Sequence, residues 1–119
     1  GPAFYLSIEA SLLVIGAGCM GMAPAMLETY RQRVTAAGEQ LHTLMETLTD
    51  RGARFDAAAL KRVPPGYNKD HYWSSLLKRK GITCWWDREL VCSADILAKE
   101  CMAAFKNAMP IYDFVCSLE

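Results

Sequence analysis

A basic run from residue 60 to residue 81, LKRVPPGYNKDHYWSSLLKRKG, carries the side chains best suited to chemistry in this sequence. Nine Lys or Arg residues and three acidic residues lie between Arg51 and Arg88, although the whole chain has 13 basic and 13 acidic residues. A fold can turn such a basic middle into a positive surface that attracts anions. The run therefore predicts a binding site for an anionic small molecule or partner.

Five residues of this run are candidates for ligand contact: Arg62, Gly66, Tyr67, His71 and Lys78. Arg62 offers a planar guanidinium that matches a carboxylate or a phosphate, while an ion pair with Asp70 is the structural alternative. Gly66 can supply the positive φ of a turn after two prolines. Lys61 precedes Arg62 directly, so on a strand the two side chains would point to opposite faces and could not serve one ligand.

An enzyme is the alternative interpretation, with His71 as general acid or base and Arg62 stabilising a phosphorylated or carboxylated substrate. The neighbouring Asp70 faces another direction on a helix and is better explained as its N-cap. Cys84 could act as a nucleophile only beside His71, and its alternation with apolar neighbours on a strand favours the core instead. The sequence leaves open whether the protein is an enzyme.

A third interpretation is a nucleic-acid or protein interaction module. Lys78, Arg79 and Lys80 could contact phosphates while the indoles of Trp73, Trp85 and Trp86 stack on bases. A solvated helix end beside buried tryptophans explains the same residues. The neutral total charge argues against a dedicated nucleic-acid binder.

The segment Gly16-Ala17-Gly18-Cys19-Met20-Gly21 matches the G-x-G-x-x-G pattern of dinucleotide-binding loops. That fold needs a second parallel strand ending in an acid about 20 residues later, and this region has helical periodicity instead. Residues 4–9 also offer residues 12–17 an antiparallel partner. The glycines are therefore interpreted mainly as structural features of a hairpin strand, with phosphate or dinucleotide binding as the weaker alternative.

Two histidines and scattered cysteines give no metal-ligand spacing, so the sequence predicts neither a metal nor a cofactor. Five cysteines without a C-x-x-C pair favour reduced thiols and a cytoplasmic protein. The longest apolar run, residues 12–22, is far shorter than the ~20 residues of a membrane span.

The elements that would position these residues follow from hydrophobic periodicity. Alternation predicts strands at residues 4–9 and 12–17, and helical spacing predicts helices at residues 24–38 and 41–52. An edge strand at 60–63, a helix at 70–80, a strand at 82–86 and a final helix capped by Ser93, with a kink or break at Pro110, complete the pattern. This order predicts a single α+β domain, residues 1–119, in which about four helices pack on a small antiparallel sheet.

The segments LKRVPPGYNKDH and LLKRKG resemble the signature of the family called domain of unknown function 2461. The likeness extends to FYLSIE, which resembles that family's hairpin, and to residues 104–118, which resemble its closing helix. Pro65 and Tyr72 depart from the pattern, since the family usually has a basic residue and a proline at these positions. The family has no established activity, so the resemblance implies a fold and the place of a site.

Members of that family are longer chains, and this sequence resembles their second half. A sheet that a preceding segment normally covers would leave an edge or an apolar face exposed. The resemblance therefore implies a homodimer, formed through the hairpin or the final helix.

Overall fold

The structure is a computed structural model that describes residues 1–119. It has four strands and three helices, which confirms the α+β class and the antiparallel sheet with one helix fewer than predicted. The elements are β1 (Ala3–Glu9), β2 (Leu12–Cys19), α1 (Pro24–Asp50), β3 (Arg54–Phe55), α2 (Ser74–Leu77), β4 (Ile82–Glu89) and α3 (Ala94–Cys116). No helix is long and apolar enough to cross a membrane.

The sheet has the strand order β1-β2-β4-β3, and every neighbouring pair is antiparallel. The predicted hairpin is confirmed: Ala10 and Ser11 close it with φ values of 47° and 67°, the two positive angles of a tight hairpin turn. β2 is a central strand, paired with β4 along its whole length and with β1 over residues 12–18. This position explains why its sequence is apolar almost throughout.

One face of the sheet and the helices form the hydrophobic core. Ile15 of β2 and Trp86 of β4 are directly paired and almost completely buried. Small side chains on α3, Ala104 and Ala108, are also buried and let that helix lie close to the strands. Twenty buried hydrophobic residues form one cluster in this way.

The predicted boundary between two helices near Gly38 is confirmed in position, because two helical segments meet there across a kink, although together they form the single element α1 that ends at Asp50. The helix is kinked at Ala37, whose φ of −148° and ψ of 39° are not helical. A Cβ atom at Gly38 would overlap the indole ring of Trp73. Gly38 therefore lies next to the helix break and also allows the residue 60–80 segment to pack closely against α1.

The residue 60–80 segment also differs from the predicted elements. Residues 60–63 form no strand, and β3 takes the edge position beside β4. The predicted helix at 70–80 is reduced to the single turn of α2. Before it, the Asn68 side chain accepts the Asp70 N–H at 2.9 Å, so Asp70 lies in a turn and is not a helix N-cap.

The start of α3 agrees with the prediction from local signals, but Pro110 does not break the helix. The Ser93 hydroxyl accepts the Ile96 N–H at 3.4 Å, which confirms the predicted N-cap. The helix then runs through Pro110 to Cys116.

The strand pairing also shows whether the glycine motif lies in the βαβ unit that a dinucleotide-binding loop requires. β2 has antiparallel neighbours on both sides, so Gly16 and Gly18 do not open a parallel βαβ unit. Gly18 has a φ of 141°, and a Cβ atom there would collide with the Ile82 carbonyl oxygen on β4. The fold thus gives the motif a structural role at a close strand contact.

Candidate anion-binding groove

The residue 60–80 segment has little regular structure, yet specific hydrogen bonds fix its position. The Tyr30 hydroxyl of α1 donates to the Leu76 carbonyl at 2.8 Å. The Leu60 N–H donates to the Lys78 carbonyl at 2.9 Å, and the Met22 N–H donates to the Lys80 carbonyl at 2.8 Å. These bonds join the two ends of the segment to each other and hold its C-terminal part against α1 and the residues just before it.

A groove with a volume of about 590 Å³ lies between α1 and this segment. We call it the basic groove, and its lining consists of Arg31, Leu60, Lys61, Arg62, Val63, Pro64, Pro65 and Lys80. Four of these side chains are cationic and none is acidic. The two prolines and Val63 provide a stiff apolar wall beside the charges.

The four cations of the basic groove are not neutralised by neighbouring acids. The ion pairs of the structure lie elsewhere, between His42 and Glu46 and between Arg54 and two aspartates. The Arg31 Nε atom is buried and has no hydrogen-bond partner. A buried guanidinium nitrogen without a partner is unfavourable, which makes Arg31 a candidate donor to an acceptor.

Tyr30 and Tyr67 lie close enough to Arg31 for its positive charge to affect the pKa values of their hydroxyl groups. Burial raises the pKa of Tyr30, and the positive charges of Arg79 and Arg31 oppose that shift. Burial and a hydrogen bond to Glu28 raise the pKa of Tyr67, and Arg31 again opposes the shift. Arg31 therefore lies near both tyrosines, and Arg79 lies near Tyr30.

Glu28 is the acid that these contacts place near Arg31. Its Oε1 atom accepts hydrogen bonds from the Tyr67 hydroxyl at 3.0 Å and from the Gln32 amide at 3.3 Å. The carboxylate is thus engaged by two donors and does not pair with a guanidinium. The local charge remains positive.

The structure places one of the five predicted ligand-contact residues, Arg62, in the lining of the basic groove. Lys61 lines the same groove, so the expectation that these two cannot serve one ligand is wrong. The expectation assumed a strand, in which neighbouring side chains point to opposite faces, but residues 60–63 do not form one. The ion pair between Arg62 and Asp70 does not form either.

The other four predicted residues lie outside the lining. Gly66 has a φ of 91° and forms the predicted turn, in which the Tyr67 N–H donates to the Pro64 carbonyl at 3.3 Å. Lys78 is half-buried at the end of α2. The roles of Gly66, Tyr67, His71 and Lys78 in ligand binding stay predictions.

The His71 side chain forms a hydrogen bond to the nearby backbone. Its Nδ1 atom accepts the Trp73 N–H at 3.0 Å, which leaves only Nε2 for a ligand or a proton transfer. Cys84 is buried on β4 with its thiol directed at the Ala17 carbonyl, and burial raises the pKa of this thiol to about 11. Such a thiol behaves as a core residue, as its alternation on the strand predicts.

The three indoles of the nucleic-acid interpretation are separated. Trp73 packs on Gly38, and Trp85 lies on the sheet face opposite α3, where its ring is 5.5 Å from Tyr5. Trp86 is buried in the core and donates to the Arg51 carbonyl at 3.2 Å. They form no common platform on which bases could stack beside the cations.

Arg31 is the groove residue that sequence reasoning misses. It lies far from the basic run, on α1, directly after the buried Tyr30 and three residues before the buried Val34. That helical spacing shows that Arg31 borders the buried stripe, which is the one signal available in the sequence. Its proximity to residues 60–65 depends on tertiary packing.

Comparison with known proteins assigns the chain to a family. No curated protein and no solved structure matches the chain. The model of the family described as "Conserved hypothetical protein (DUF2461)" matches residues 1–114. Because this match covers nearly all of the 119 residues and includes the segment that forms the basic groove, the chain belongs to the DUF2461 family.

Proposed function

We propose that this protein binds an anionic small molecule in the basic groove. The observation that carries the proposal is the buried, unpartnered Nε of Arg31, in a groove that it shares with three other cations and no acid. Arg31 and Arg62 come from different parts of the chain and line one concave surface. Convergence of that kind is what recognition of an anion requires.

The size of the basic groove supports a small molecule as the ligand. Its volume of about 590 Å³ lies within the usual range of small-molecule sites. Arginine can offer two parallel N–H donors to a phosphate or carboxylate, while a lysine contributes a mobile point charge. The groove is open to solvent, so dissolved ions will screen these charges.

Inorganic pyrophosphate is a suitable probe because its two phosphate groups can engage both arginines. Isothermal titration calorimetry should detect binding that weakens as the salt concentration rises. Arg62→Gln removes one charged donor and should lower the affinity about 10-fold, near the low end of the range for charged hydrogen bonds.

The matched control is Arg33→Gln, which removes the same charge from α1 two residues after Arg31. The Arg33 guanidinium donates to the Ser117 hydroxyl at 3.0 Å and lies outside the basic groove. The Arg33→Gln variant should bind pyrophosphate with the same affinity as the unmodified protein. No detectable binding at low salt, or an equal loss in both variants, would refute the proposal.

No contact in the structure favours the enzymatic or nucleic-acid alternatives over binding of a small anion. His71 lies outside the groove lining and has one imidazole nitrogen engaged. The tryptophans do not assemble beside the basic residues. Both alternatives rest on the sequence alone.

We also propose that two copies of this chain associate through β1 and α3. β1 is the edge strand of the sheet, and its only charged residue, Glu9, is at its end. Leu6 and Ile8 are 57% and 65% exposed on the face where Phe4 stacks on Tyr112 of α3. Met102 of α3 is 69% exposed. This face lacks the usual protection of an edge strand.

A second copy fits this surface because antiparallel pairing of β1 with itself is symmetric. A two-fold axis would give the free backbone groups of both edges a partner and bring two identical apolar faces together. The neutral formal charge of the chain adds no net repulsion between copies.

Sedimentation velocity at micromolar concentration tests the dimer. The unmodified chain should sediment as a dimer, and Leu6→Lys/Ile8→Lys should sediment as a monomer with an unchanged circular dichroism spectrum, because both side chains are exposed. A monomeric unmodified chain would rule the dimer out.

A further inference from the structure

A small cavity lies next to the basic groove, under the start of β4. Its volume is about 80 Å³, and Asp56, Arg79, Lys80 and Thr83 contribute its polar lining. Lys80 lines both this cavity and the basic groove. A ligand held in the groove could therefore extend one group towards Thr83.

Thr83 is the unusual residue of this cavity. It is 2% exposed and is the only residue classed as polar among the buried side chains. Its hydroxyl is buried and has no hydrogen-bond partner, although a valine would fill the same space on a strand. A buried hydroxyl without a partner is costly, so a polar group from outside would complete its hydrogen bonding.

The charges in the cavity favour an anion. Arg79 and Lys80 are both cationic and form no ion pair, while Asp56 is the one acid of the lining. The Asp56 carboxylate accepts the Trp85 indole N–H at 3.1 Å and lies 3.9 Å from the Arg54 guanidinium. Both of these partners lie outside the cavity and partly neutralise the acid.

We propose that this cavity binds the terminal phosphate of a phosphate monoester, whose remaining part lies in the basic groove. The inference rests on the proposed anion-binding function and specifies its ligand class. A volume of about 80 Å³ corresponds to two or three waters at about 30 Å³ each, which is space for one tetrahedral oxyanion but not for a sugar or a base. The Thr83 hydroxyl and the Arg79 and Lys80 cations donate to the phosphate oxygens.

Asp56 explains the choice of phosphate over sulfate. A phosphate monoester has a second pKa near 6 and can retain one proton, which it donates to the Asp56 carboxylate. A sulfate is fully ionised and can only be repelled by that carboxylate. The cavity should therefore bind inorganic phosphate more tightly than sulfate.

The test is a titration of the full chain with inorganic phosphate, followed by amide chemical shifts in NMR spectra. Thr83→Val keeps the branched shape and removes only the hydroxyl, and it should weaken phosphate binding about 10-fold or more. Thr43→Val, on the exposed surface of α1, is the matched control and should bind phosphate normally. Arg79→Gln is a second variant and should weaken binding to a similar extent.

The outcomes separate this inference from the groove itself. An unchanged phosphate affinity in Thr83→Val, or equal affinities for phosphate and sulfate, would overturn the cavity assignment. If Arg62→Gln still weakens pyrophosphate binding in that case, the groove proposal stands alone. If Thr83→Val weakens phosphate binding while Arg62→Gln leaves pyrophosphate binding unchanged, the cavity is supported and the groove proposal fails.

Discussion

Replacement of both Arg31 and Arg62 by glutamate should abolish pyrophosphate binding, with an affinity loss of about 100-fold or more. The four cations of the basic groove give a formal charge of +4, and two reversals reduce it to zero. The variant also replaces two guanidinium donors with acceptors, which repel the phosphate oxygens. Calorimetry at low ionic strength is the appropriate measurement, because salt weakens the attraction in the unmodified protein.

The control for this variant is Arg33→Glu/Arg88→Glu, which changes the net charge of the chain by the same amount. Both arginines lie outside the groove, Arg33 bonded to Ser117 and Arg88 to the Asp87 carbonyl. Binding should persist in this control. If both double variants lose affinity equally, the effect comes from net charge, and the groove is not the site.

Substitution of Gly18 by alanine should destabilise the protein by about 2 to 6 kcal/mol. One part of the cost is the φ of 141°, which a residue with a side chain adopts only under strain of about 1–3 kcal/mol. The other part is overpacking of about 1–3 kcal/mol, because the new Cβ meets the Ile82 carbonyl and the Thr83 backbone on β4. Urea denaturation measures the loss as a lower midpoint.

Gly21→Ala is the matched control for this prediction. Gly21 belongs to the same glycine motif, yet a Cβ atom there meets nothing within 4 Å and its φ lies outside the strained positive range. The change in stability should stay within about 0.5 kcal/mol, as at other surface positions. Equal midpoints for Gly18→Ala and Gly21→Ala would contradict the structural role given to the motif.

Three strands of the sheet, β1, β2 and β4, could be predicted from the sequence because their signals are local, whereas the two-residue edge strand β3 could not. Alternation over residues 4–9 and the apolar run that follows specify two adjacent strands, and β4 carries β-branched and aromatic residues. β1 and β2 are also consecutive in the chain and pair with each other through the hairpin. No distant contact is needed to reach this assignment.

The conformation of residues 60–80 could not be predicted in this way. The spacing of Tyr72, Trp73, Leu76 and Leu77 fits an amphipathic helix, yet Tyr72 is 84% exposed and only one helical turn forms. Distant contacts decide the conformation: Trp73 packs on Gly38, and Leu76 accepts the Tyr30 hydroxyl. Tertiary packing here overrides the local pattern.

Part of the candidate site can also be predicted from the local sequence, and the rest depends on contacts between distant parts of the chain. The charge of residues 60–81 points to the candidate segment and to Arg62, because clustering of basic residues is visible in the sequence. Arg31 joins the groove only through the packing of α1. Lys61 joins it because the segment is irregular, which the strand prediction excluded.

The most direct test of the basic groove is the NMR signal of the Arg31 Nε–Hε group during a titration with pyrophosphate. This nitrogen is buried without a hydrogen-bond partner, so an anion in the groove should accept its proton and shift the resonance in a saturable manner. The Nε signal of Arg54, whose guanidinium already donates to Asp87 at 2.7 Å, should remain unchanged. A static Arg31 signal at saturating pyrophosphate would contradict anion binding in this groove.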